Sequence, residues 1–155
     1  MDRTNARRSR VACIEKGQLR RVAPNLKLAD ELHKLAGHRL AFWQEVHLGH
    51  KYPSIYLEGH YEIIKELCAA LLALDGVESL NHECMFAHIK DTHTRLDIDF
   101  GYLFDLKDTR NAIDYRGIKI SPSTWKDNAL KTMVTIDALG KEVERRLKTI
   151  RYPIP

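Results

Sequence analysis

The segment from Tyr52 to Leu74 constrains the fold of this chain most strongly. Pro53 suits the first position of a helix, because its missing N–H would have no partner there. Asp75-Gly76 supplies turn chemistry that ends the helix. A helix that is apolar most of the way round is typically buried, so this segment is predicted to be the central helix. Its apolar side chains occupy more than one face: Ile55, Ile63, Ile64, Leu67, Cys68, Leu71 and Leu72.

Other segments repeat apolar residues at three- and four-residue steps, which is typical of amphipathic helices. Ser121-Pro122 is a clear start signal, since Ser is a good N-cap and proline fits the first turn. Strand alternation is nearly absent and the connections are short. The sequence therefore predicts an all-α, up-and-down bundle of four to five helices. The predicted helices besides the central one span about residues 8–15, 24–49, 82–89 and 98–115, and the last begins at Pro122.

The 155 residues fit one domain with terminal extensions. Residues 1–24 form a basic leader with a short helix, expected to be partly disordered, residues 25–150 form the bundle, and residues 151–155 form an irregular tail. The leader carries seven basic and two acidic residues, whereas residues 25–155 carry 18 basic and 19 acidic residues. Such an arm either binds nucleic-acid phosphates or is a solvated terminus.

Neither a membrane span nor a signal peptide is predicted. The longest apolar run, Leu67–Leu74, has eight residues, and a bilayer needs about 20. Cys13, Cys68 and Cys84 lie far apart without a CxxC pair. This favours reduced thiols and a cytoplasmic location over a disulfide framework.

The eight histidines do not predict a metal site. No HExxH pair is present, and no carboxylate–histidine spacing repeats as a di-iron bundle requires. No glycine-rich phosphate loop is present either. We therefore expect no metal and no cofactor. The histidines considered were His33, His38, His47, His50, His82, His88 and His93.

The segment DLKDTRNAIDYRG, residues 105–117, concentrates polar groups at one helix end. Arg110 and Asp114 are one turn apart and can form an ion pair. Alternatively, Arg110, Asn111 and Tyr115 meet at the helix end, where a guanidinium fork and two hydrogen-bonding groups suit a phosphate. Asp114 and Arg116 are supporting candidates.

Three stretches of this chain resemble the HEPN (higher eukaryotes and prokaryotes nucleotide-binding) family, most closely its small stand-alone prokaryotic members. The resemblance covers about residues 10–150, and HEC at residues 82–84 fits the start of the third bundle helix. It implies a helical bundle, commonly a homodimer. The stretches are ACIEKGQLRRVAPN from Ala12, YPSIYLEGHYEIIKELCAALLALDG from Tyr52, and RNAIDYRGIKISP from Arg110.

Active members of that family are metal-independent ribonucleases, often toxins paired with a minimal nucleotidyltransferase, and others bind nucleotides or substrates. Their motif is Arg, a polar residue, three variable positions and His. Arg110 and Asn111 match it, but Tyr115 stands at the His position. A phenol with a pKa of about 10 is a poor general base at neutral pH.

The resemblance therefore implies two alternatives. The favoured one is a binding module with a degenerate motif, which recognises a nucleotide, an RNA or a nucleotidyltransferase partner. The other is a metal-independent endoribonuclease in which Tyr115 or another residue, such as His60, replaces the missing base.

Overall fold

The computed structural model describes residues 9–154 and contains six helices and two short strands in that range. The strands pair in antiparallel fashion, with Leu19 opposite Ser79. The predicted all-α bundle is confirmed. The helices are α1 (Arg10–Glu15), α2 (Leu26–Glu45), α3 (Pro53–Asp75), α4 (His82–Thr92), α5 (Phe100–Arg116) and α6 (Pro122–Arg151), and the strands are β1 (Leu19–Arg21) and β2 (Val77–Ser79).

Helix α3 is the central helix, as predicted. Fourteen of its 23 side chains are buried, and α2, α4, α5 and α6 all pack against it. Tyr61, Ile64 and Leu71 of α3 meet Phe86 of α4 and Leu139 of α6 in one hydrophobic core. The apolar faces of the surrounding helices are therefore buried against a single element.

The start of α3 and both ends of α6 match the local sequence signals. Pro53 occupies the first turn of α3, and the Ser121 hydroxyl accepts a hydrogen bond from the Thr124 backbone N–H. At the other end, α6 stops at Arg151, just before Tyr152. Arg151, predicted to begin the irregular tail, is instead the last residue of the helix. Its guanidinium forms an ion pair with Asp30 of α2 at 2.9 Å.

The predicted bounds of α2 are wrong at both ends. The sequence predicts Pro24 in the first turn, but the helix begins at Leu26 and its N-cap is Asn25, whose side-chain oxygen accepts a hydrogen bond of 2.9 Å from the Leu28 N–H. At the other end the helix stops at Glu45, because Val46 is extended. The loop that follows is held by a hydrogen bond from the Leu48 N–H to the Tyr56 hydroxyl.

The described part of the basic leader, residues 9–24, is folded onto the bundle. Helix α1 packs on α4, and β1 pairs with β2 directly after α3. The part of the predicted first helix at Arg8 lies outside the described residues. Three-residue strands are too short to show alternation, so no sequence pattern predicts them.

The prediction of reduced cysteines is wrong for two of the three. Cys13 of α1 is bonded to Cys84 of α4, while Cys68 of α3 is free and buried. The pairing depends on the docking of α1, which brings the two Cα atoms to 5.7 Å, within the range a disulfide requires. The thiol-based argument for a cytoplasmic location therefore fails.

Within residues 9–154, none of the helices combines the length and the apolar character that crossing a membrane requires.

Candidate functional site

A cavity of about 1180 Å³ lies where α1 and β1 meet the ends of α3 and α4 and the last third of α6. Guanidinium groups dominate its lining. The lining contains six arginines and two carboxylates, Asp75 and Glu142. With neutral histidines this wall carries a strong excess of positive charge. The arginines are Arg10, Arg20, Arg21, Arg95, Arg145 and Arg146.

Asp75 accepts hydrogen bonds from three side chains of the cavity wall. Its Oδ2 accepts hydrogen bonds from Nε2 of His88 at 2.8 Å and from Nε2 of His93 at 2.6 Å. Its Oδ1 accepts one from Arg146 Nη1 at 2.8 Å. Burial alone would raise the pKa of Asp75, but the hydrogen bonds from these three side chains outweigh it and hold the pKa well below its usual range. Asp75 is therefore an anion that orients three donors.

The contacts of His88 fix its tautomer. Arg10 Nε lies 3.2 Å from His88 Nδ1. An arginine N–H can only donate, so Nδ1 carries no proton and Nε2 carries one. His88 is thus a neutral ring that donates to Asp75 and accepts from Arg10.

Among residues 9–154, His93 differs from His88 in having one ring nitrogen without a hydrogen bond. Its Nε2 donates to Asp75, and its Nδ1 lies 3.8 Å from Glu142 Oε1, too far for a hydrogen bond. Glu142 is held by Arg145 through two contacts of 2.7 and 2.9 Å. His93 Nδ1 is therefore a ring nitrogen that Asp75 holds in a fixed orientation in the wall of the cavity.

Asp75, His88 and His93 bring three possible metal-ligand atoms within 4.8 Å of one another. Their hydrogen bonds do not fit a metal ion. A ligating imidazole nitrogen must be unprotonated, and the other ring nitrogen then usually donates. In His88 the Arg10 contact enforces the opposite arrangement. The nearby Arg146 guanidinium also disfavours a cation.

In the described part of the chain, half of the cavity arginines have neither a side-chain hydrogen bond nor an ion pair. Arg10, Arg145 and Arg146 are engaged as described above. Within the described residues Arg20, Arg21 and Arg95 form no ion pair and line the same cavity. Unneutralised guanidinium groups on a shared wall favour binding of an anion from solution.

The predicted motif on α5 forms a different arrangement. Arg110 Nη2 lies 3.0 Å from Asp114 Oδ2 and 3.3 Å from Glu62 Oε1. Its guanidinium also lies 5.6 Å from the centre of the Tyr61 ring. The ion pair expected from the one-turn spacing is confirmed. Arg110 thus stands between two carboxylates.

The remaining motif residues lie further out on α5. Tyr115 is 79% exposed, Arg116 is exposed and Asn111 is half-buried. The structure therefore brings Arg110 and Asp114 together and leaves Tyr115 on the outer surface of the last turn.

Glu58 and Glu62 of α3 complete the surroundings of Arg110, and the sequence analysis missed both. Burial and a hydrogen bond with Asp114 raise the pKa of Glu58 to about 7. Near neutral pH, Glu58 is therefore partly protonated beside Arg110. Both glutamates lie about fifty residues before the motif, so no local pattern connects them with it.

His60 lies in a separate aromatic cluster. Its ring packs against Trp43, Tyr56 and Trp125, with the Trp125 ring centre 4.8 Å away. His60 Nδ1 donates to the Tyr56 carbonyl oxygen at 2.7 Å, and burial lowers its pKa. The structure therefore places this candidate base among aromatic rings, not beside Arg110.

The cavity residues escaped the sequence analysis for the same reason as Glu58. In the sequence, Asp75 is part of a turn signal, and no metal-ligand spacing connects His88 with His93. The one available signal was the excess of arginine in the leader, to which Arg10, Arg20 and Arg21 belong.

Comparisons with family models, with curated proteins and with solved structures each found no significant match to this chain. The resemblance to HEPN domains therefore stays a prediction.

Proposed function

We propose that this protein is a binding module for a phosphate-bearing ligand, a nucleotide or an RNA, and that the arginine-lined cavity is its site. The observation that carries the proposal is the lining of six arginines against two carboxylates. Arginine presents a planar set of donors that matches phosphate oxygens, and such charge-assisted hydrogen bonds are strong. This proposal keeps the predicted ligand class and moves the site away from Arg110.

The size and lining of the cavity support a ligand as large as a nucleotide. Small-molecule sites usually measure about 300–1,000 Å³, and this cavity measures about 1180 Å³. Apolar side chains, among them Ile14, Leu19 and Leu96, also contribute to its wall. They offer a surface for a sugar or base, while the arginines engage phosphate.

Removal of two unpaired arginines tests the site. In an Arg20→Ala, Arg21→Ala variant we expect the affinity for a fluorescent ATP analogue to fall about tenfold or more, as loss of charged hydrogen bonds predicts. Titration with a short single-stranded RNA in parallel distinguishes the two ligand sources. Tighter binding of the RNA, with a steeper loss at high salt, would assign the site to a polynucleotide backbone.

The matched control also removes two positive charges, but at the end of α5 beside the predicted motif. Arg116→Ala with Lys119→Ala alters two exposed residues at the end of α5 and just beyond it. We expect this variant to bind like the wild type. If it loses the ligand while the cavity variant retains it, the binding site belongs at the motif and the proposal is wrong.

A second candidate is the metal-independent endoribonuclease, and His93 favours it. Asp75 fixes this ring, whose Nδ1 has no hydrogen bond, so an imidazole is available although the motif lacks one. In that reaction Nδ1 takes the 2′-hydroxyl proton while the 2′-oxygen bonds to phosphorus. The bond from phosphorus to the 5′-oxygen breaks, and the imidazolium returns the proton to that oxygen. The arginines stabilise the added charge on phosphate.

A cleavage assay separates the two functions. End-labelled single-stranded RNA is incubated in EDTA with wild type, His93→Ala and Arg110→Ala proteins. The ribonuclease function requires cutting by wild type and Arg110→Ala that His93→Ala abolishes. Intact RNA in all three, with binding retained, supports the binding module alone.

The homodimer, the nucleotidyltransferase partner and the cytoplasmic location, which the sequence analysis predicted, stay proposals. Sedimentation of the purified protein at tens of micromolar tests the first. If the protein sediments only with the mass of a single chain, the homodimer proposal is wrong.

A further inference from the structure

The Cys13–Cys84 disulfide is the only covalent cross-link in the described chain, and it joins α1 to α4. The two cysteines are 71 positions apart. Both are almost fully buried, with 1% and 2% of their surface exposed. The bond therefore attaches the N-terminal segment to the body of the bundle.

Half of the cavity arginines lie on that N-terminal segment. Arg10 precedes Cys13 by three residues on α1, and Arg20 and Arg21 are on β1. The remaining three lie after α4 and on α6. Displacement of the segment would therefore remove three of six guanidinium groups from the wall.

Few other contacts hold α1 in place. It has six residues and buries only Cys13, and it packs mainly on α4 and β1. Two hydrogen bonds from Arg10 connect it to α4: the backbone N–H donates to Asp91 and Nε donates to His88. Elements with so little buried apolar surface open readily. Opening of α1 alone exposes the disulfide to a reductant.

We infer that the Cys13–Cys84 disulfide is a redox latch for the anion site: the oxidised chain holds the complete arginine wall, and reduction releases it. The inference rests on the proposed function. A dithiol reductant supplies two electrons and two protons. The S–S bond breaks, Cys13 and Cys84 become thiols, and the reductant becomes a disulfide.

The effect should extend from the bond to the histidines. Arg10 determines the tautomer of His88, because it donates to Nδ1. Release of α1 removes that donor, and Nδ1 is then free to carry the proton. The reduced protein should therefore differ from the oxidised protein in the tautomer of His88 as well as in the positive charge of the cavity wall.

The test compares one protein in two redox states. The affinity of the oxidised chain for a fluorescent ATP analogue is measured first, then repeated after treatment with dithiothreitol. Iodoacetamide labelling and mass measurement count the thiols in each state. We expect reduction to weaken binding about tenfold or more, as loss of charged contacts predicts. A Cys13→Ser, Cys84→Ser variant should bind like the reduced wild type in both conditions.

Cys68 provides the matched control, because it is buried on α3 with no disulfide partner. A Cys68→Ala variant should keep the full response to dithiothreitol. Hydrogen exchange adds a readout that does not depend on the serine variant: on reduction, amides of residues 10–21 should lose protection while those of α3 keep it.

Equal affinity in both redox states, with thiol counts that prove reduction, would overturn the latch and leave the proposed function standing. Absence of binding in both states would instead overturn the proposed function. Loss of protection throughout the bundle on reduction would also contradict the latch, since the bond would then support the whole fold.

Discussion

Oδ2 of Asp75 and Nε2 of His93 lie 2.6 Å apart, although 18 positions separate them in the chain. Asp75 is the last residue of α3, and His93 follows α4 directly. The residue that ends the central helix therefore also organises the cavity. Stability and ligand binding are both expected to depend on it.

Substitution of Asp75 by Asn should destabilise the protein by about 2–4 kcal/mol, since it removes the charge shared by two buried histidines and a partly exposed arginine. Urea denaturation measures the loss. Asp137→Asn is the control, because Asp137 is exposed and pairs with Lys141 one turn away. Its effect should stay below about 0.5 kcal/mol, and equal losses would contradict the role given to Asp75.

Acid should weaken the fold through the same carboxylate. The pKa of Asp75 is lowered in the folded protein, so its contribution is complete above the unfolded value of about 3.9 and is lost as the pH falls below it. Denaturation between pH 6 and pH 3 should therefore show a steeper decline for wild type than for Asp75→Asn. Parallel pH profiles would argue against the hydrogen-bonded anion.

Glu58→Gln should show the opposite pH dependence. The pKa of Glu58 is raised to about 7, so its ionisation costs stability as the pH rises from about 4.3 through 7. At pH 8.5 the free energy of unfolding of the glutamine variant should exceed that of wild type by about 1 kcal/mol after allowance for solvent screening. At pH 5 this difference in stability should be smaller. Thermal unfolding at both values is the measurement, and Glu144→Gln, on the exposed face of α6, should show no such difference.

Arg110→Ala should affect stability more than ligand binding. It leaves Glu62 and Asp114 without their shared cation, for a loss of about 1 kcal/mol at this partly exposed site. Affinity for the ATP analogue should remain within about twofold of wild type, because Arg110 does not line the cavity. A tenfold loss of affinity in a folded variant would restore the predicted motif as the binding site.

Gly59→Ala should destabilise the protein by about 1–3 kcal/mol through overpacking. A Cβ there would come within 2.2 Å of the Trp43 ring, which packs on Tyr56 and His60. Gly37→Ala is the matched control, since a Cβ at that helical position meets nothing within 4 Å. It should instead stabilise by about 0.5–1 kcal/mol. Chemical denaturation of both variants tests the pair.

The sequence by itself determined most of the helices. Apolar residues on more than one face identified α3 as central, Pro53 located its start, and Ser121-Pro122 located the start of α6, because these signals act within one or two turns. It also offered the Arg110–Asp114 pair as one of two alternatives, since two residues one turn apart on one helix meet without help from the rest of the fold.

Only the tertiary structure decided what lies across elements. Glu58 reaches Asp114 from another helix, Cys13 reaches Cys84 through the docking of α1, and the cavity collects side chains from both strands and from helices α1, α3, α4 and α6. Each of these contacts joins residues that share no local pattern, so their positions depend on packing of the whole bundle. The arginine excess of the leader was visible in the sequence, but which acid and which histidines it faces was set by that packing.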